Sequence, residues 1–474
     1  MAQSVLSFDP QEQPRVRRSF RDVEKDHFVA RQQGSTDRTE LETLVLAWLS
    51  IQEDLDPKDP NSFFTIGGYH GEPFRGVDTM LYATANDLLL TKRQAGWSNS
   101  MWWGGYCYHN QILFPTWHRA YVYRLENALR SVKGCQDLTL PFLDWCDSET
   151  IESGLPITFC QKEIALGDGT VIRNPLYSYV FQAGVFDSLG TFPDTEYSKP
   201  LYYETVRYPL SGLVGLPKTD QASTTATYNA TWEYPTNLQP LNDNITSWLK
   251  LGVELHSGKT VPIGIAQKFR ECLDAPNYVV FSNVSSASQY NQDNLQGVGT
   301  GQGPFVPLES PHNSMHLAVG GYHIPNGPLN TNSNPGDPVP DNANGDMVWR
   351  ASRRLCNRDV TDGEQGENDT AAFDPIFYFH HCFVDRMFWL WQQKHKQTTK
   401  LVIEAEYQRY PGTNNFDGQG PTPGRPAGTW LDLDTPLEPF VKTDGSSVKS
   451  TDVADIEGSL GYTYGPGSFT DKHA

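Results

Sequence analysis

Twelve histidines are spread along this 474-residue chain, and six of them stand where imidazoles could be brought to common points. His312 and His316 are four residues apart, so on a helix they lie only about 40° from one another and reach the same spot. His381 shares a face with Phe377, Val384 and Phe388 at helical steps, a polar ring in an aromatic stripe. His118 sits on another stripe, with Tyr121, Leu125, Ala128, Leu129 and Val132. His109 is nine residues earlier, with Pro115 between, so it must reach any shared pocket from a loop. His70 lies in the glycine-rich stretch FFTIGGYHGEPF, also as a loop residue. A lone histidine on an apolar face is ordinarily a core group bonded to backbone, and a loop histidine is ordinarily exposed and idle. Together they form two groups of three, His70, His109 and His118, then His312, His316 and His381. Imidazole-only ligation suits copper, zinc, iron or nickel without deciding among them, so the spacing leads to two metals and no further.

The elements that must hold these residues are mostly helices. Asp374 and Pro375 read as a helix start, an Asp that satisfies free N–H groups and a Pro that forfeits a donor with no partner. The helix carrying His118 runs on from Trp117, and its pattern leaves Arg119, Glu126, Asn127 and Arg130 largely outside the inward stripe. Thr36 and Asp37 precede Leu41, Leu44, Val45, Trp48 and Leu49, the apolar face of another helix. Residues 1–34 are polar and Arg-rich and read as an extended arm. Residues 133–305 read as long connections with small strands, and 400–474 as a Pro- and Gly-rich tail with strands near 429–433 and 437–441. The whole reads as one catalytic domain, mainly α, with long loops and small peripheral β structure.

Composition narrows the partners. With 38% apolar residues the chain can bury a sizeable core. Its net charge of −19 argues against nucleic acid and anionic membranes, which need basic patches. No apolar run is long enough to span a bilayer, and no charged-then-apolar signal opens the chain, which implies a cytoplasmic or already processed protein. Seven cysteines in so long a chain make neither a disulfide scaffold nor a CxxC zinc site, and their odd number leaves one for another task. Four glycosylation sequons, at Asn229, Asn244, Asn283 and Asn368, are no more than chance supplies.

At the histidine segments the chain resembles the type-3 dicopper proteins, in the tyrosinase and polyphenol oxidase (catechol oxidase) branch. The residues that carry the resemblance are HGEPF at His70, CYHNQILFPTWHR from Cys107 to Arg119, HNSMH from His312 to His316, and DPIFYFHHCFVDR from Asp374 to Arg386. The resemblance implies a central four-helix bundle holding two copper ions, with His70, His109 and His118 on the first and His312, His316 and His381 on the second. O2 is then the co-substrate and small phenols are the partners. It makes His381 rather than its neighbour His380 the ligand, and it implies a thioether between Cys107 and His109. Phe383 stands where plant-like members carry Asn. Asp385 is expected to orient its helix through an ion pair, with Arg119 as the candidate. Glu309 and Asn313 match residues proposed in the family to hold a water that takes the phenolic proton. Phe377, Asn368 and Leu317 are expected to line the substrate pocket. Tyr462 and Tyr464 match a motif after which many relatives carry a shielding domain, and with ten residues left none is expected here. The implied activity is ortho-hydroxylation of monophenols and oxidation of o-diphenols to o-quinones. The alternatives are a catechol oxidase with diphenolase activity alone, a haemocyanin-like oxygen carrier and a zinc hydrolase.

Overall fold

A computed structural model describes residues 4–71, 106–184, 199–212, 220–254, 258–294, 304–320, 350–351, 366–367, 370–415 and 428–469. Of the helices α1 (Glu40–Leu49), α2 (Phe114–Ser131), α3 (Glu309–Gly320) and α4 (Ile376–Lys394), the last three carry histidines of the two groups, and α1 packs through Trp48 on Tyr378 and Phe379 of α4. The start of α1 is set by a reciprocal cap in which Thr39 accepts from the Glu42 N–H and Glu42 accepts from the Thr39 N–H. Pro115 opens α2 in its first turn, where its missing N–H costs nothing. Before α4, the Asp374 carboxylate accepts from the Ile376 N–H at 3.1 Å. It is also gripped by Arg207 through two bonds of 2.7 Å, a buried fork that fixes the entry of the helix.

Two of these helices are buried almost all round. From Ile376 to Trp389 every residue of α4 is buried. In α2, Arg119 and Glu126 have no exposure and Arg130 only 9%, which corrects their placement outside the helix's inward stripe. The reason is a set of ion pairs that the stripe could not show. Arg119 Nε donates to Asp385 Oδ1 at 2.5 Å, as expected, while Glu126 accepts from Arg17 at 2.8 Å and Arg130 at 2.6 Å. Asp385 Oδ2 accepts in addition from the hydroxyls of Tyr462 (2.5 Å) and Tyr464 (2.6 Å) and from Arg17 (3.3 Å). The Arg17 guanidinium lies 3.6 Å above the Tyr462 ring.

The termini supply part of the small β structure, and the small strands expected within 133–305 are the antiparallel pairs Glu163–Ala165 with Val171–Arg173 and Gly252–Glu254 with Thr260–Pro262. Ser4–Leu6 runs parallel to Pro436–Lys442, which Ser447–Lys449 extends, and Arg15–Arg17 runs parallel to Tyr462–Tyr464. The expectation of an extended N-terminal arm is therefore only half met, because Phe20–Gln32 is a helix that buries Phe20, Val23, Glu24 and His27. The steps of three, one and three between those residues were the available signal. The strand expected at 437–441 is present, whereas 429–433 contributes only an isolated bridge between Trp430 and Asn414.

The connection 133–305 is more helical than expected, with Leu238–Lys250, Ile265–Cys272 and Val284–Asp293 among its helices. Three of the sequon asparagines are structural, Asn229 exchanging two bonds with the Ser211 backbone. Asn244, 1% exposed, donates to the Ala318 carbonyl at the end of α3, and Asn283, fully buried, caps Val284–Asp293. Asn368 lies outside the described residues. Among the described residues no helix is long and apolar enough to cross a membrane, and Cys135, Cys146, Cys160, Cys272 and Cys382 form no disulfide.

Candidate metal centre

His70 ends the short helical turn Phe63–Gly68, which is capped by Ser62. The turn packs so closely on the segment before α4 that a Cβ at Gly67 would fall 2.8 Å from the Phe373 ring. Glycine there lets His70 approach the bundle. His109 reaches in from the loop before α2, and His118 points inward from the second turn of α2. The three rings lie 5.2–5.7 Å apart, centroid to centroid, with their ligating nitrogens all within 4.8 Å of one another. On the other side, His312 and His316 of α3 meet His381 of α4. Their Nε2 atoms are 3.0, 3.2 and 3.3 Å apart. Three nitrogens at such separations match the edges of a coordination shell with ligands about 2 Å from a metal. The groups face each other, His118 stacking on His381 at 4.6 Å and 13°, and His109 lying 5.7 Å from His312.

The hydrogen bonds favour metal binding over an ordinary buried cluster. The His118 Nδ1–H donates to the Phe114 carbonyl at 2.8 Å, which leaves the Nε2 lone pair free of a proton, and that Nε2 is buried with no hydrogen-bond partner. The His312 Nδ1–H likewise donates to the Asn313 side-chain oxygen at 2.8 Å. Burial, and then the crowding of one imidazole by others, holds His118, His312, His316 and His381 well below the ordinary histidine range. Neutral rings with aimed Nε2 atoms are what a metal site requires. The donors are all imidazole, a set that fits copper.

His380 also belongs to the second group, so the described residues hold seven clustered histidines rather than six. Its Nδ1 accepts from the indole N–H of Trp145 at 2.9 Å, and burial pushes the ring's pKa down to about 3. Trp145 escaped the sequence reading because it stands in a stretch without periodicity. Phe377 is fully buried, stacked on the His381 ring at 4.1 Å and meeting the His70 ring edge-on at 4.8 Å, so it packs against histidines of both groups. Cys107 Sγ is 3.6 Å from His109 Nδ1. The Phe383 ring packs against Phe142 and Phe269. Asn313 and Leu317, one turn apart on α3, are 7% and 8% exposed while none of the seven histidines exceeds 2%. Glu309 is fully buried, and its two oxygens accept from the backbone N–H groups of Asn110 (2.6 Å) and Val284 (2.9 Å). Burial pushes its pKa up to about 7 against the pull of those two amides.

Residues 60–394 match the family model for the common central domain of tyrosinase. A tyrosinase of Hahella sp., HcTyr2, is 43% identical over 464 residues, 96% of this chain and 74% of that one. A tyrosinase of Aspergillus oryzae is 42% identical over 469 residues, with the same two shares. Among solved structures, the tyrosinase of Burkholderia thailandensis at low pH superposes with a TM-score of 0.75 at 42% identity, over 97% of this chain and 76% of that one. With two facing groups of buried imidazoles and relatives of this identity along nearly its whole length, the chain belongs to the tyrosinase family of binuclear copper oxidoreductases.

Proposed function

We propose that His70, His109 and His118 hold one copper ion and His312, His316 and His381 the other, and that the enzyme uses O2 to ortho-hydroxylate monophenols and to oxidise o-diphenols to o-quinones. The observation that carries the reading is the pair of facing imidazole groups, one of them an Nε2 triangle of 3.0–3.3 Å. When bound, the copper pair supplies the two-electron chemistry with O2. The protein's part is to aim neutral imidazoles, to admit a phenol and to take its proton.

We assign the phenol's approach to the face of α3 that carries Asn313 and Leu317, which are 7% and 8% exposed beside histidines at 2% or less. A monophenol with a pKa near ~10 must lose its proton before it binds copper well. The Asn313 side-chain oxygen is already taken by His312, so its amide N–H group is what remains to orient a water. Glu309 stands one helical turn earlier, with a pKa of about 7, close to that of an efficient acceptor at neutral pH. We assign the phenolic proton to a water between these two residues. Phe377 acts as the support beneath the ligand rings, and Cys107 as the partner of a thioether that keeps the loop histidine aimed. His380 is held by Trp145 beside the second group and serves as a neighbour of the ligands.

Oxygen uptake by the copper-loaded protein, run side by side on L-tyrosine, tyramine and catechol, tests the reading. Turnover of all three is expected. Turnover of catechol alone would leave a diphenolase, and reversible O2 binding without turnover would make the chain an oxygen carrier.

A further inference from the structure

The loop that carries His109 is tied to the rest of the fold at several points. Asn110 takes φ = 56°, in the left-handed region that residues other than glycine usually avoid. Near His109 the chain is tied from outside, by Tyr106 N–H to the Tyr69 carbonyl at 2.8 Å and Ile112 N–H to the Gly412 carbonyl at 2.9 Å. Between those ties, the Asn110 N–H donates to Glu309 Oε1 at 2.6 Å. A carboxylate accepts more strongly than a carbonyl, so this is the firmest bond on the residue next to His109. The other oxygen of Glu309 is anchored by Val284 N–H, the first amide of the helix Val284–Asp293 and one of the donors that a helix start leaves without an internal partner.

From this geometry we infer that Glu309 is a positioning residue: it holds the Asn110 amide and thereby aims His109 at the first copper, while the helix it opens carries His312 and His316 to the second. One side chain then ties the loop ligand of one site to the helix that supplies the other. The inference rests on the copper assignment above and gives Glu309 a task separate from, and prior to, any part in accepting the phenolic proton. The two tasks predict different losses. A residue that serves only the proton affects monophenols, whereas one that aims a ligand affects copper itself and every substrate.

Bound copper per chain, with turnover of L-tyrosine and catechol, is to be measured for the wild type and for Glu309→Ala after loading with copper alone. Positioning predicts copper falling from two per chain toward one, affinity at the first site weakened about 10- to 100-fold, and both turnover numbers falling in proportion. Glu309→Gln keeps one acceptor oxygen and is expected between the two. Two coppers and unchanged catechol turnover in Glu309→Ala, with only tyrosine turnover lost, would overturn the inference. Should Glu309→Ala fail to fold, Val284→Pro tests the same tie from its other end. Position 284 opens its helix, where proline is tolerated, and Asn283 before it is already extended (φ −151°, ψ 156°). Affinity at the first site about tenfold weaker is expected there, and wild-type affinity would overturn the inference. A wild type that binds no copper pair would instead count against the assignment of the six histidines.

Discussion

Replacing Asp385 by Asn should be among the most damaging single changes outside the histidines. The carboxylate accepts from Arg119, Tyr462, Tyr464 and Arg17 at 2.5, 2.5, 2.6 and 3.3 Å, with its side chain and those of both arginines at most 2% exposed. Asparagine keeps the shape but removes the charge and turns an NH2 toward donors. Taking one partner from a buried pair costs roughly 3–5 kcal/mol, because the remaining charge stays in a dry site. The lower part of that range applies. Arg17 keeps Glu126 at 2.8 Å, and Arg119 keeps the carbonyls of Val453 and Ala454 and the side-chain oxygen of Gln392. The assay is the urea midpoint of Asp385→Asn against wild type at equal copper loading, since metal bound to the native state adds stability of its own. A loss below ~1 kcal/mol, the range of an exposed ion pair, would refute the reasoning. The variant should also respond differently to acid. Burial alone would raise the Asp385 carboxyl, but Arg119, Arg17 and the two tyrosine hydroxyls outweigh it and hold it below its ordinary 3.8. Its contribution is therefore present above that value and lost as pH falls through the lower folded value, so Asp385→Asn should lose less stability than wild type below pH ~4.

Because Asn313 also accepts the His312 Nδ1–H, activities are compared per bound copper pair: Asn313→Gly should then lower tyrosine hydroxylation by on the order of 10²-fold, the size of a lost proton-transfer step, and catechol oxidation by much less, and equal losses at full copper loading would remove the water assignment. His27 is kept neutral below its ordinary 6.5, chiefly by burial, so the unfolded chain takes up the proton more readily and stability falls as pH drops below that value. His27→Gln should flatten the dependence of the urea midpoint between pH ~7 and ~5, and an unchanged slope would exclude His27 as its source. If Cys107 and His109 are joined, the intact mass of the native protein is lower by two hydrogens and Cys107 resists alkylation in the denatured holoprotein; quantitative alkylation would exclude the bond.

What could be read from the sequence was the part of the site that local periodicity writes. His312 and His316 at four residues, His381 on its aromatic face and His118 on its stripe each announced a direction, and the structure brings those directions together. His109 and His70 carry no periodic signal; as loop histidines they could be grouped with His118, and the resemblance of their flanking motifs made the assignment specific. Partners far away in the chain were harder to see. Asp385 and Arg119 are separated by 266 positions and were paired in advance, but Arg17, Tyr462 and Tyr464 join them across distances no local pattern spans. The same ignorance of partners placed Glu126 and Arg130 outside the helix stripe, because a charged residue reads as solvated until its counter-ion is known. Several helices within 133–305, such as Val284–Asp293, were obscured by their Asn- and Ser-rich composition. Two of those asparagines, Asn277 and Asn283, are the caps that start them.

The most direct test is the copper content of the metal-loaded wild type beside that of His118→Ala and His381→Ala, each read with X-ray absorption at the copper edge. The account predicts two coppers per chain with imidazole nitrogen ligands in the wild type, the first site weakened in His118→Ala and the second in His381→Ala. A single copper in the wild type, or a shell containing carboxylate or thiolate ligands, would contradict it.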